Sequence, residues 1–259
     1  MILKNLMKQN NIAVSLTAPK RLQEAKNLAK RLQLELIMDP KTATKTYDYL
    51  LLLTRDYLGL QKVADKKCVP FYLDFSSRKM LHRLKRATLR NELVARAIGF
   101  HPRTHPVIVD ATAGLGRDSL ILASLGFKVI LLERSPIIHA LLQDALNRCS
   151  LPYIHHLHLI YANAIDWLKK LSHDGGPDVI YIDPMFLERN KSASVKKEMV
   201  VLQNLIGKDE DAKELFYMAL ACAKYRVVVK RHRLAANIVE RAPNFSLNGK
   251  INRFDIYIT

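Results

Sequence analysis

The chain has 259 residues, 49% of them hydrophobic and 25% charged, which is room for one large or two small globular domains and excludes disorder and fibrous repeats. Forty-one Lys+Arg against 24 Asp+Glu give a net charge of +17, so the chain attracts polyanions, with nucleic acid the first candidate. No stretch reaches the ~18 to 20 apolar residues of a membrane helix, and MILKNLMKQN lacks the apolar core of a signal peptide, so the expected location is cytoplasmic with no membrane partner.

In chain order, NIAVSL (11–16) reads as a strand, and PKRLQEAKNLAKRLQLEL (19–36) as a helix with Pro19 in its first turn. Leu22, Ala25, Leu28, Ala29 and Leu32 recur at three- and four-residue spacing and give that helix one apolar face. YLLLLT (49–54) and FYLDF (71–75) read as paired strands. Residues 1–75 are thus expected to form a small α/β domain. Residues 76–104 form a basic connecting segment, where Arg78, Lys79, Arg83, Lys85, Arg86, Arg90, Arg96 and Arg103 face Glu92 alone, eight charges against one and a net +7. Residues 105–259 form the larger domain. There PVIVDA (106–111), KVILLE (128–133), HLHLIYA (156–162), DVIYID (178–183), YRVVVK (225–230) and RFDIYIT (253–259) are apolar strands. They alternate with the helices DSLILASLG, SPIIHALLQDALNRC and one around 209–223. Continuous apolar strands alternating with helices predict an α/β fold, a parallel sheet covered on both faces. Ligands of such sheets lie beyond the carboxyl ends of the strands, where strand order reverses.

The residues after each strand carry the chemistry. After the first come Gly114 and Gly116, two glycines that allow a sharp turn and a close backbone approach to a ligand at a helix N-terminus. Ser119 stands where a dinucleotide fingerprint has its third glycine, which counts against NAD or FAD. After the second comes Glu133, 19 residues beyond Gly114, about where an acid meets ribose hydroxyls. The alternative is an acid favoured by a helix dipole, and a ribose does not distinguish NAD from S-adenosylmethionine. After the third, Asn163 is either a contact to an adenine edge or a helix cap, with Asp166 the other candidate. After the fourth comes Asp183-Pro184-Met185-Phe186. It resembles the (Asp/Asn/Ser)-Pro-Pro-aromatic motif of S-adenosylmethionine-dependent methyltransferases that modify exocyclic amines. Such an amine is a poor nucleophile, because its lone pair is delocalised into the base. Acceptors aimed at its hydrogens localise that pair; Asp183 and the carbonyl of Pro184 supply them, and Phe186 offers a face on which an extruded base stacks. Lys191, Lys196 and Lys197 follow, either a solvated face or the rim of a substrate mouth.

DATAGLGRDS, LLER, YIDPMF, KSASVKKEM, RVVVKR and RFDIY, in this order, resemble the RsmJ-type bacterial 16S ribosomal RNA guanine-N2 methyltransferases, over 105–259 and more weakly through FYLDF and HRLKR (71–86). The resemblance implies a class I, Rossmann-like S-adenosylmethionine-dependent methyltransferase sheet. It also implies methyl transfer to N2 of a guanine near the 3′ end of 16S rRNA in the small ribosomal subunit. Carried onto matching positions, it gives Arg117, Asp118, Glu133, Arg134, Asn163, Ala164 and Asp183 as cofactor residues. Arg83, Lys85 and Arg86 are expected to hold RNA phosphates with the three lysines after Asp183. The family's glycine-rich stretch is missing from 85–92, where the positive charge remains. The rival readings are an adenine-N6 methyltransferase of DNA or RNA and a non-catalytic RNA-binding module. Cys68, Cys149 and Cys222 have no metal or disulfide spacing, and His155, His156 and His158 begin a strand, so no metal is expected. Trp167, Met199 and Met218 read as core.

Overall fold

The structure is a computed structural model, described for residues 11–43, 46–65, 69–171, 175–184 and 211–259. These residues fall into two compact units. One is built from the chain up to Asp74 together with Ala140–Arg148; the other comprises Phe75–His139, 149–184 and 211–259.

The first unit contains β1 (Ile12–Leu16), α1 (Leu22–Leu32), β2 (Leu36–Ile37), β3 (Tyr49–Leu53) and β4 (Leu58–Lys62), with sheet order β2-β1-β3-β4. β1 runs parallel to β2 and β3, and β3 is antiparallel to β4. Ala25, Leu28, Ala29 and Leu32 are buried along α1, the apolar face that their spacing predicts. The helix is shorter than expected. Pro19 opens a 3-10 turn, Pro19–Arg21, and the chain reverses at Gln33, left-handed at φ 55°, whose N–H returns to the Ala29 and Lys30 carbonyls. Leu36 and Ile37 are thereby released to pair with Val14 and Ser15. The expected 71–75 strand is a second correction. The partner of β3 is β4, and Phe71 forms only a single bridge with Leu60. A tight turn joins β3 to β4, where Thr54 Oγ1 accepts from the Asp56 and Tyr57 amides.

The second unit begins with α2 (Arg78–Arg86) and α3 (Leu93–Ile98), so the segment expected to connect two domains contains two helices. No residue of α2 is buried, whereas Val94, Ala95, Ala97 and Ile98 of α3 are. The chain continues through β5 (Ile108–Asp110), α4 (Arg117–Ser124), β6 (Val129–Glu133), α5 (Pro136–Arg148, whose residues from Ala140 belong to the first unit), β7 (Leu157–Tyr161) and α6 (Ala164–Leu171). It then forms β8 (Val179–Ile182), α7 (Ala212–Cys222), β9 (Arg226–His232), β10 (Phe245–Asn248) and β11 (Asn252–Ile258). The sheet order is β10-β11-β9-β8-β5-β6-β7. β7, β6, β5, β8 and β9 are mutually parallel, and β11 lies antiparallel between β9 and β10. β10 was not expected. β5 and β8 are buried along their whole length, as a sheet covered on both faces requires. Val109, Ile180, Ile182, Val227 and Val229 form one core cluster with Leu168 of α6 and Phe216 of α7. α4 packs on β6, and α3 on β11. Burying each such aliphatic or aromatic side chain contributes about 1.5 to 3 kcal/mol.

Candidate active site

Strand order reverses between β5 and β8, which puts the ligand crevice of the second unit at their carboxyl ends. The turn after β5 is built on a buried carboxylate. Asp110 accepts from the Thr112 amide at 3.1 Å and from Ser119 Oγ at 2.5 Å. Ser119, in place of a third glycine, is therefore buried support for the turn. Burial carries the Asp110 carboxyl up to about 7, against the Ser119 and Thr112 hydrogen bonds that lower it and with the nearby Asp118 and Asp183 charges. Gly114 and Gly116 are left-handed, at φ 50° and 66°. Among the described residues beyond its two chain neighbours, the only heavy atom within 4 Å of a Cβ built on Gly114 is the Thr112 carbonyl oxygen, at 3.7 Å, so these leave the backbone open on that side. α4 starts directly after Gly116, and first-turn amides of a helix have no partner within it.

Glu133 ends β6 and is buried. Its Oε2 accepts from the Gly114 amide at 2.9 Å and its Oε1 from the Ser135 amide at 2.6 Å, which ties the two strand ends together. Arg134 pairs with Asp211 at 2.6 Å, just before α7. Asn163 Oδ1 accepts from the Ile165 and Asp166 amides and so caps α6, while the Ala164 side chain is buried in the core. Arg117 opens α4 and is exposed.

Asp183 follows β8. Its amide donates to Thr112 Oγ1 at 2.6 Å, which fastens the β8 end to the β5 turn, and Pro184 beside it is buried. Asp183 Oδ2 accepts from Lys230 Nζ at 2.8 Å, and the same ammonium donates to Asp118 Oδ2 at 2.7 Å. Tyr181 OH donates to that Asp118 oxygen at 2.8 Å, and Arg83 lies 3.6 Å from Asp118 Oδ1. Burial pushes the Asp118 carboxyl up, but Lys230, Tyr181 and Arg83 outweigh it and hold the group below the usual carboxylate range. Burial pushes Lys230 down, while Asp183 and Asp118 raise it well above an ordinary lysine. Tyr181 stays a neutral phenol, raised by its burial and then by the Asp118, Asp183 and Asp110 charges.

Gly114, Gly116, Asp118, Glu133 and Asp183 thus meet at one crevice. Arg83 differs from a free phosphate ligand, because it pairs with Glu92 at 2.8 Å as well as approaching Asp118. Lys85 and Arg86 are exposed on α2. Phe186, Lys191, Lys196 and Lys197 lie outside the described residues. Sequence reasoning missed Thr112, Tyr181 and Lys230 as site residues. Lys230 stands in a basic run from 224 to 233 that does not form a surface patch. Arg231 is buried and donates to the Ala236 carbonyl, and Arg226 donates to the Ala97 carbonyl and lies over Phe100. The available signal was a lysine directly after the buried run Val227–Val229, which demands a carboxylate nearby. Among the described residues no group of three His, Cys, Asp or Glu is placed to hold a metal, and His156 Nδ1 lies 3.2 Å from the Ala123 carbonyl. No helix among them is long and apolar enough to cross a membrane.

The mixed sheet with its parallel β7-β6-β5-β8-β9 core, together with the matches below, defines the fold as that of a class I, Rossmann-like S-adenosylmethionine-dependent methyltransferase. A family model described as "Putative SAM-dependent methyltransferase" matches residues 27–259. The ribosomal RNA small subunit methyltransferase J of Thioalkalivibrio sulfidiphilus is 46% identical over 81% of this chain and 84% of its own. That of Nitrosococcus oceani is 42% identical over 96% and 99%. The crystal structure of a SAM-dependent methyltransferase from Neisseria gonorrhoeae superposes with a TM-score of 0.73 at 30% identity, covering 95% of this chain and 96% of that one. The chain belongs to the ribosomal RNA small subunit methyltransferase J family, and its cofactor is S-adenosylmethionine.

Proposed function

We propose that the protein transfers a methyl group to the exocyclic N2 of a guanine near the 3′ end of 16S rRNA, in the small ribosomal subunit and hence in the cytoplasm. The observation that carries the reading is Asp183, held by its own amide to Thr112 in the same turn that carries Gly114. That juxtaposition supports reading Asp183 as an amine acceptor next to a cofactor cradle. The residues fit the cofactor: the open face at Gly114, the α4 N-terminus for a carboxylate, and Glu133, whose carboxylate oxygens have lone pairs for ribose hydroxyls besides those used by the Gly114 and Ser135 amides. Arg117, Asp118, Arg134, Asn163 and Ala164 complete the set, with Asn163 and Ala164 acting through the capped start of α6.

When bound, S-adenosylmethionine supplies a methyl group on a positively charged sulfur. The chain supplies alignment and charge. Asp183 and the Pro184 carbonyl accept from the two amine hydrogens and direct the nitrogen lone pair at the methyl carbon. The C–N bond forms as the C–S bond breaks, and the proton left on nitrogen passes to Asp183 or to water. Phe186 stacks on the target base, while Lys85 and Arg86 of α2, with Lys191, Lys196 and Lys197, hold phosphates. An adenine-N6 methyltransferase would use the same Asp-Pro motif; the names of the relatives favour ribosomal RNA. A non-catalytic RNA-binding module has no use for Asp183 beside the cradle. Mass spectrometry of nucleosides from 16S rRNA of cells with and without the gene tests the reading. One N2-methylguanosine should disappear with the gene, and an unchanged nucleoside profile would refute it.

A further inference from the structure

Lys230, like Thr112 and Tyr181, is a member of the site to which the sequence motifs assign no task, and it is the one that carries a charge. Its side chain is 20% exposed and lies between Asp118, 12% exposed, and Asp183, 38% exposed. Register explains the placement. Ile182 of β8 pairs with Val229 of β9, so Asp183, the residue after β8, lies beside Lys230, which continues β9 opposite Phe254 of β11. Asp118 reaches them from the first turn of α4 and is fixed from a second side by Tyr181 OH. An ammonium with two carboxylate oxygens at 2.7 and 2.8 Å is engaged, not offered to an RNA phosphate.

We propose that Lys230 is a positioning residue for methyl transfer, a charged bridge that fixes the Asp183 carboxylate in direction and in its ionised form beside a second carboxylate, Asp118. The proposal rests on the reading of Asp183 as the acceptor for the target amine. Two carboxylates on one ammonium are tolerated only while that ammonium is present. Without it, one of them takes up a proton on acidification, and a protonated Asp183 donates where the amine needs an acceptor. The charged and titratable groups around the bridge come from every neighbouring element: Asp118 on α4, Tyr181 and Asp183 at the end of β8, Asp110 at the end of β5, and Arg83 and Glu92 from the helical segment before it. Arg83 touches Asp118 at 3.6 Å and so replaces part of the lost charge on Asp118. The effect of removing Lys230 is therefore expected to fall on Asp183.

The test is single-turnover methyl transfer to small ribosomal subunits lacking the modification, measured from pH 5 to 9 for wild type, Lys230→Met, Lys230→Arg and Asp183→Ala. Lys230→Met should move the acid limb of the rate profile upward by about one to three pH units, the effect of losing an opposite charge at this distance. Lys230→Arg should bring the limb back toward wild type. If Lys230→Met does not fold, Lys230→Met combined with Asp118→Asn removes one charge of each sign. It should still show a raised acid limb, smaller than that of a lone unpaired pair of carboxylates. A rate lowered equally at every pH, or an unchanged rate with only a raised KM for the subunit, overturns the proposal and makes Lys230 a structural or phosphate-binding residue. Asp183→Ala separates the two levels. If it is inactive while the Lys230→Met profile is unmoved, the bridge alone is wrong. If it is fully active, the amine-acceptor reading falls and the bridge with it.

Discussion

Replacement of Glu133 by Ala tests whether the acid after β6 serves the cofactor or only the fold. Glu133 accepts from two backbone amides, Gly114 at 2.9 Å and Ser135 at 2.6 Å, and the residue is buried. Truncation leaves both donors without that acceptor, at about 1 to 3 kcal/mol for each amide that water does not reach, so the melting temperature should fall. If the carboxylate also receives a ribose hydroxyl, binding loses a charge-assisted hydrogen bond of about 1.5 to 3 kcal/mol. At about 1.4 kcal/mol per decade, this weakens S-adenosylmethionine roughly 10- to 150-fold. Glu133→Gln should lie between wild type and Ala. It keeps one acceptor oxygen, but its NH2 group faces an amide donor. Calorimetric titration with S-adenosylmethionine and with NAD, run beside thermal unfolding of the apo proteins, separates the two contributions. A lowered melting temperature with an unchanged dissociation constant would show that Glu133 only clamps the Gly114 turn.

Other substitutions probe the remaining parts. Asp183→Ala should slow single-turnover methyl transfer at least ~10²-fold, the scale for one preorganised polar contact, while Asp183→Asn keeps an acceptor oxygen and should retain more activity. Phe186→Ala should weaken engagement of the RNA by about 1 to 3 kcal/mol in a binding titration and leave S-adenosylmethionine affinity unchanged. Lys85→Ala with Arg86→Ala should lower the salt slope of RNA binding by roughly 0.7 to 0.9 for each lost phosphate contact, and an unchanged slope would make α2 a solvated surface. Adding Arg83→Ala should also disturb the cofactor site through Asp118, a consequence of their 3.6 Å approach. For Asp110, raised from 3.8 to about 7, the folded chain binds its proton more tightly than the unfolded chain does. Stability from this group should therefore fall as pH rises from about 4 to 7, by on the order of 4 kcal/mol at about 1.4 kcal/mol per pH unit. Denaturant unfolding of Asp110→Asn across that range should lack this decline, and a decline identical to wild type would refute the assignment.

The parallel strands were legible because burial on both faces demands uninterrupted apolar residues, and VIVD, VILLE and VIYI show them. β4, LGLQK, and β10, FSLN, were not: a glycine and two polar residues break up the short apolar run of β4, and β10 is polar at two of four positions and exposed at both ends. The end of α1 turns on a left-handed Gln33, a residue type that gives no stop signal of its own. At the site, Gly114, Glu133 and Asp183 could be read because each follows a strand at the crevice. Asn163 left two readings open, and its side chain forms the helix cap. Lys230 was hidden for a different reason: its partner Asp118 is 112 residues away, beyond the reach of any local pattern. Net charge miscounted Arg83, Arg226 and Arg231 in the same way, since each is spent on a partner inside the fold.

The central claim is tested most directly by the position of the transferred methyl group. Small ribosomal subunits lacking the modification are incubated with the protein and labelled S-adenosylmethionine for a single turnover, and the 16S rRNA is then cleaved and digested to nucleosides. The label should co-migrate with N2-methylguanosine and lie in the 3′-terminal fragment. Label on N6 of an adenine, on a ring carbon or on a ribose oxygen would contradict a methyl transfer directed by Asp183 at the exocyclic amine of guanine.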